Sequence, residues 1–359
     1  MLRLSPRCYG VVHRVFPPSL MRLSDLDYDL PEELIAQHPL EAREQARMMV
    51  VNRKTQSFEH SRFYKLGSHL REGDLIVLND TQVLPARVYA RKETGGRVEL
   101  LFVRPVDDPP GAWMVMIRAH RGIKDGTRII LESGHALKVV GQARQGRPIV
   151  ASEDSVPIEE ILKASGLLAL PHYIRRDVGA EDLADYQTVY ALTPGAIAAP
   201  TAGLHFTDAL LAELANQGIR TARITLHIGP GTFAPLRAPQ VEQHTMEGEW
   251  FTIPEATRVA IDHTRRTGGR VIAVGTSSVR ALESWAITDE PEGFTGLFIY
   301  PGFRFKIVNA MITNFHMPRT TVLALVMALA GRDLILDAYR EAVRKRYRFL
   351  SYGDAMLIL

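Results

Sequence analysis

Cysteine is almost missing from this chain: of 359 residues, only Cys8 is one. A single thiol excludes disulfides, thiolate-ligated iron–sulfur clusters and cysteine-based zinc sites together. Histidine spacing offers no substitute. None of the 12 histidines stands in a His-x-x-x-His pair, so a zinc site would have to be assembled from distant segments. The G-x-S-x-G elbow of serine hydrolases is absent, as are the Walker and dinucleotide glycine patterns. Long hydrophobic runs are missing too. The longest near the C-terminus, Val322 to Ala330, falls well short of the roughly 20 residues a bilayer crossing needs, which predicts a buried helix. Excess charge is also lacking. The balance is 43 basic against 40 acidic residues, and the first twenty residues contribute Arg3, Arg7 and Arg14 with no acid. Without them there are 40 of each. Composition therefore carries no sign of a polyanionic partner, and such a site must come from local clusters: Arg340 to Arg348, Arg265 with Arg266, or Arg118 to Lys124.

The opening "MLRLSPRCYGVVHRVFPPSL" differs from the rest of the chain in its arginines, its lack of acids and its Pro-Pro pair. An organelle transit peptide has that composition. Translation begun upstream of the true start fits better, with Met21 opening "MRLSDLDYDLPEEL" as the head of a folded domain. Residues 1–20 are then an extension that is disordered or not translated. A secretory signal does not fit, for want of an apolar h-region.

No repeat or low-complexity tract interrupts the chain, so periodicity carries the fold. "MMVVN" (Met48 to Asn52) and "DLIVLN" (Asp74 to Asn79) are short apolar runs of buried-strand length. From about Ala86 to Ala151 the runs "RVYA", "RVELLFV", "WMVMIRA", "TRIILES", "ALKVV" and "RPIVA" succeed one another closely, separated by glycine and proline turns with no helical pattern. This predicts an all-β insert, most simply a small antiparallel barrel. Beyond Pro157, helices return. "TDALLAELANQG" has Thr207 or Asp208 to cap it and Gly218 to end it. A strand through "IRTARITLHI", a helix over "PEATRVAIDHTRRTGG", a strand "RVIAVG", a helix "SSVRALESWA" and two helices over Thr320 to Ala330 and Asp333 to Tyr347 complete an α/β alternation with a largely parallel sheet. The predicted architecture is an α/β core domain, residues 21–85 and 152–359, interrupted by a small antiparallel β-barrel domain over 86–151.

Three phrases place histidines beside glycine or proline at element ends. "LHIGPGTF" puts His227 at the carboxyl end of a strand with Gly229, Gly231 and Thr232 just after it. "PTAGLHF" sets Thr201, Gly203 and His205 before a helix cap, and "TNFHMP" supplies His316. Glycine lets backbone close on a ligand while the imidazole handles a proton. Each histidine can equally be a hydrogen-bonded structural residue. "AVGTSSVRALES" spells strand, glycine and helix, with Thr276, Ser277 or Ser278 as N-cap. The free N–H groups there suit a carboxylate or phosphate, and Arg280 lies one turn in.

Taken in order, "YDLPEELIAQHP", "GDLIVLNDTQVLPAR", "TGGRVELL", "YQTVYA", "AAPTAGLHF", "TLHIGPGTF", "AVGTSSVRALES", "IYPGFRF", "TNFHMPRTT" and "YRFLSYGDAMLI" resemble one family, the S-adenosylmethionine:tRNA ribosyltransferase-isomerases of bacterial queuosine biosynthesis. The resemblance runs from Met21 to the C-terminus. It implies a cytoplasmic, monomeric enzyme with no membrane association. Its expected reaction moves the ribosyl part of the co-substrate S-adenosylmethionine onto 7-aminomethyl-7-deazaguanine at the tRNA wobble position, rearranges it, and releases adenine and methionine to leave epoxyqueuosine. The cysteine shortage excludes a radical route, which needs an iron–sulfur cluster, and no metal is implied. The sulfonium would acidify the adjacent ribose carbon for a base, His227 or His205 with His316 as a third candidate. The Gly229 to Thr232 loop would hold the cofactor, with Thr201 and Gly203 as a second rim. Thr276 to Arg280 would take an anion such as the methionine carboxylate, and Arg344, Lys345 and Arg346 would meet tRNA phosphates. Rival readings are a catalytically idle tRNA-binding protein, a metal-dependent hydrolase and a methyltransferase, the last lacking its usual Gly-rich loop.

Overall fold

The structure is a computed structural model that describes residues 21–359 apart from 121, 144, 145, 234, 235 and 237, with backbone alone for Thr232 and Phe233. Residues 1–20, including Cys8, lie outside the described residues. Ahead of the insert, strands β1 (Arg47–Asn52), β2 (Ser57–Arg62), β3 (Leu75–Asn79) and β4 (Thr81–Val83) form. The insert holds β5 (Arg87–Lys92), β6 (Arg97–Pro105), β7 (Trp113–Ala119), β8 (Arg128–Leu131), β9 (Ala136–Gln142) and β10 (Pro148–Ser152), followed by helix α1 (Ile158–Ser165). Next come α2 (Asp182–Asp185), β11 (Thr193–Ala196), α3 (Asp208–Asn216), β12 (Arg220–Leu226), β13 (Glu249–Thr252) and α4 (Glu255–Arg266). The chain closes with β14 (Val271–Val274), α5 (Gly275–Thr288), β15 (Glu292–Thr295), β16 (Ala310–Asn314), α6 (Thr321–Ala330), α7 (Arg332–Arg344) and β17 (Ala355–Ile358).

Among the described residues the main sheet has nine strands in the order β15-β13-β12-β3-β14-β16-β17-β1-β2. Its centre is parallel: β12 pairs with β3, β3 with β14 and β14 with β16, all in one direction. Both margins turn antiparallel, through β12 with β13 on one side and β16 with β17 on the other. β3 and β14 are buried along their whole length, as strands covered on both faces must be, which is why they read as continuous apolar runs. The insert closes as a barrel in the order β10-β7-β6-β5-β8-β9, each pair antiparallel. Its alternate residues, among them Val88, Leu100, Phe102, Val115 and Leu137, form a core of their own. An α/β core with an inserted antiparallel barrel is therefore the observed fold class.

Local signals explain the helix starts. Thr207 caps α3 by accepting the Leu210 N–H at 3.2 Å, and Gly218 takes the left-handed conformation just past its end. The start of α5 differs from expectation. None of Thr276, Ser277 or Ser278 is its cap; the helix begins at Gly275, with Val274 as an N-cap that makes no side-chain bond. Gly275 has φ +84°, a value that lets the chain turn from strand to helix one residue early. Ser278 instead donates back to the Val274 carbonyl at 2.7 Å.

Candidate active site

Because the four central strands run in parallel, the residues after Asn79, Leu226, Val274 and Asn314 lie along one edge of the sheet. Ligands of α/β sheets bind at such an edge, and here it opens as a cleft. Asn79, at the end of β3, holds that edge together. Its amide donates to the Leu226 carbonyl and the Ser277 hydroxyl, each at 3.0 Å, and its carbonyl oxygen accepts the N–H groups of Leu226 and Thr81. Strands β3 and β12 and the first turn of α5 are thereby fixed to one another.

Two helix N-termini contribute to the cleft wall, through Gly275, Thr276 and Ser277 of α5 and through Thr320, Thr321 and Val322 at the start of α6. Thr320 caps α6, accepting the Leu323 N–H at 3.4 Å. First-turn N–H groups and the positive helix end both favour a negative ligand group. Arg280 also lines the cleft, but its charge is already matched. It forms a buried ion pair with Glu249 and donates to the carbonyls of Leu297 (3.0 Å) and Thr295 (3.2 Å). Glu249 in turn accepts the Gly229 N–H at 2.8 Å. Arg280 thus ties α5 to the margin of the sheet, its charge matched by Glu249.

Two polar oxygens of the wall have no protein partner. Asn314 is 1% exposed, and its amide donates to the Leu350 carbonyl at 3.0 Å, which orients the side chain. Its carbonyl oxygen is left without a partner, as is the hydroxyl of Thr321, a residue 3% exposed. Buried polar atoms are ordinarily hydrogen-bonded; these two oxygens have no partner among the described residues, and both belong to residues that line the cleft. Sequence reasoning singles out neither residue, although both lie within "TNFHMPRTT". It misses Asn79 and Glu249 as well. A lone Asn closing an apolar run such as "DLIVLN" is the available signal.

The three histidines separate. His316 lines the cleft; its Nε2 faces the Thr313 hydroxyl at 2.8 Å, its N–H donates to the Tyr339 hydroxyl at 3.0 Å, and its carbonyl accepts from Tyr28. Burial pushes it down to about 3. His205 and His227 are not among the cleft-lining residues. His205 packs on the Phe63 ring with centroids 4.9 Å apart and faces the Asn314 amide at 3.4 Å. His227 stacks on Trp250 at 5.2 Å, and its Nδ1 meets the Thr81 hydroxyl at 2.8 Å. Burial pushes each of these two down to about 4. All three rings are neutral near pH 7.

The glycines also divide. Thr201 lines the cleft, whereas Gly203 lies against Tyr190, whose hydroxyl would stand 2.0 Å from an added Cβ. Gly229 and Gly231 belong to the margin beside Glu249 and Glu247, while Ile228 reaches the cleft. The side chain of Thr232 lies outside the described residues. At the end of α7, beside the start of β1 where Arg47 donates to the Lys345 carbonyl at 3.0 Å, Arg344 is held by Glu341 through two bonds of 2.7 Å and Arg346 stands 3.8 Å from Glu33. Lys345 lies between them.

The chain as a whole is similar to known proteins. The family model described as queuosine biosynthesis protein matches residues 23–358. The S-adenosylmethionine:tRNA ribosyltransferase-isomerase of Thermotoga maritima is 44% identical over 342 residues, 94% of this chain and 100% of that protein. The enzyme of the same name from Rubrobacter xylanophilus is 47% identical over 339 residues, 94% of this chain and 98% of that one. The crystal structure of S-adenosylmethionine tRNA ribosyltransferase from Thermotoga maritima superposes with a TM-score of 0.54 and 36% identity, over 94% of this chain and 100% of that one. On a match that spans nearly the whole described chain, this protein belongs to the S-adenosylmethionine:tRNA ribosyltransferase-isomerase family of queuosine biosynthesis.

Proposed function

We propose that the chain transfers the ribosyl moiety of S-adenosylmethionine to the aminomethyl nitrogen of 7-aminomethyl-7-deazaguanine at the wobble position of tRNA and isomerises it, leaving epoxyqueuosine and releasing adenine and methionine. The observation that carries this reading is the pairing of unmatched groups in the cleft. An α-amino acid end has a carboxylate that needs donors and an ammonium that needs an acceptor. The first turns of α5 and α6 with the Thr321 hydroxyl supply donors, and the Asn314 carbonyl oxygen supplies the acceptor. The methionine end of the co-substrate is seated there, with Thr201, Thr276 and Ser277 beside it.

His316 is the base that this arrangement favours, as the one of the three candidates on the wall; a neutral imidazole can take the proton from the carbon beside the sulfonium. His205 and His227 then act through Asn314 and Thr81, and the Gly229 to Thr232 turn acts through Glu249. Residues 21–85 with 152–359 form the catalytic domain and 86–151 the inserted one. The protein works as a cytoplasmic monomer and needs neither a metal nor an iron–sulfur cluster. The test is to incubate the purified chain with S-adenosylmethionine and tRNA bearing the aminomethyl-deazaguanine, then digest the tRNA and weigh its nucleosides. A nucleoside heavier by the ribosyl-derived ring, with free adenine and activity that survives a chelator, is the expected result. Unchanged tRNA from folded protein and intact substrate would overturn the reading.

A further inference from the structure

Among the described residues none that lines the cleft comes from the barrel, yet the barrel carries an unbalanced charge arrangement of its own. Strands β5, β6 and β7 lie side by side, with Tyr89 opposite Glu99, Glu99 opposite Arg118, and Arg91 opposite Arg97. Val88, Ala90, Val98, Leu100 and Val115 point into the barrel core, so the period of two turns Tyr89, Arg91, Arg97, Glu99, Met116 and Arg118 outward. Arg91, Arg97 and Arg118 are exposed, and none has an ion-pair partner among the described residues. Glu99, the one acid on these three strands, is already bound to Arg87 at 3.3 Å.

Like charges directly opposite across a strand pair are destabilising, and Arg91 with Arg97 is such a pair. Some arginines elsewhere are ion-paired. On neighbouring β8, Arg128 takes Glu153 at 2.5 Å and Glu93 at 3.3 Å. At the end of α7, Arg344 and Arg346 have Glu341 and Glu33. The face of β5 to β7 keeps three unmatched guanidinium groups around a tyrosine that is 47% exposed, on a patch about 10 Å across and about 14 Å long by strand spacing. Arginine forks fit phosphate oxygens, and an outward aromatic on a sheet gives an unpaired base a surface on which to stack.

We propose that the outer face of β5, β6 and β7 is an RNA-binding surface, in which Arg91, Arg97 and Arg118 hold backbone phosphates of the tRNA and Tyr89 stacks on an unpaired base. This deepens the proposed function and rests on it for the identity of the RNA. It also moves the main electrostatic footprint from Arg344, Lys345 and Arg346 to the barrel.

The experiment measures binding of a tRNA transcript by fluorescence anisotropy across a salt series, with S-adenosylmethionine binding followed separately by calorimetry. The combined substitution Arg91→Ala, Arg97→Ala, Arg118→Ala is expected to weaken tRNA binding at least tenfold near 0.1 M salt. It should also flatten the slope of log affinity against log salt by about 2 to 3, as loss of three phosphate contacts requires. The three Arg→Lys replacements should retain most of the slope, and Tyr89→Ala should weaken binding with the slope unchanged. S-adenosylmethionine affinity should not move in any of them. Wild-type affinity and slope in the triple alanine variant would overturn the surface and leave the proposed function standing. A wild-type chain that binds S-adenosylmethionine but no tRNA would overturn both. Should the triple variant fail to fold, the single charge reversal Arg97→Glu serves, with the same outcomes read from its affinity and slope.

Discussion

Thr321 separates a binding role from a packing role at the level of one oxygen. Its hydroxyl is buried with no protein partner, so replacing it with a methyl group removes an unsatisfied polar atom, a change that is nearly neutral or stabilising. Thr321→Val is therefore expected to melt at or above the wild-type temperature while the KM for S-adenosylmethionine rises roughly tenfold, about 1.4 kcal/mol. Calorimetry and steady-state kinetics on the same preparation check this. A fall in stability with KM unchanged would make Thr321 a packing residue. Asn314 gives no such clean separation, because its amide also holds Leu350.

Among the elements, the cleft depends on how α5 is fastened. Glu249→Ala would leave the Arg280 guanidinium buried without its counter-ion and free the Gly229 N–H, so unfolding in denaturant should show a loss of about 3–5 kcal/mol. Gly275→Ala meets no clash, its added Cβ in ordinary contact 3.6 Å from the Ser277 hydroxyl. Its φ of +84° alone predicts a loss of about 1–2 kcal/mol and a weaker cleft, measured by melting and by co-substrate affinity. The central elements are legible in the sequence because each carries its own signal: β3 and β14 an unbroken apolar run, α3 a threonine cap and closing glycine, the barrel a string of short strands between turns. The antiparallel margins are not. β2 reads "SFEHSR" and is mostly exposed, and β15 reads "EGFT", so neither has the alternation of a half-buried strand. Glycines beside His205 and His227 suggest a ligand rim, but Gly203 makes room for Tyr190 and Gly195 makes room for the His227 ring. Whether a glycine faces a ligand or a side chain is a tertiary fact, as is the unmatched state of Asn314 and Thr321.

In the molecule as a whole, three neutral histidines, His205 buried and His227 and His316 half-buried, couple the fold to pH. His205 and His227 are held at about 4 and His316 at about 3, whereas in the unfolded chain each titrates near 6.5. Below pH 6.5 the unfolded state takes up protons that the native state refuses. Stability from this source is therefore complete above about pH 6.5 and is lost as pH falls toward 4, by up to about 1.4 kcal/mol per pH unit for each histidine. Melting temperature recorded from pH 7.5 to 4.5 should fall steadily below 6.5, and a flat profile would contradict the burial of these rings. Both proposed surfaces rest on that same frame, the cleft on the parallel edge and the arginine face on the barrel. In the proposed function, activity turns above all on the grip that the cleft, between the starts of α5 and α6, has on the amino acid end of S-adenosylmethionine. Calorimetric binding of S-adenosylmethionine to the wild-type chain, beside its decarboxylated analogue, reads that grip without the chemistry. At least tenfold weaker binding of the analogue is expected, with most of that difference lost in Thr321→Val; equal affinity of the two ligands for the wild-type protein would contradict it.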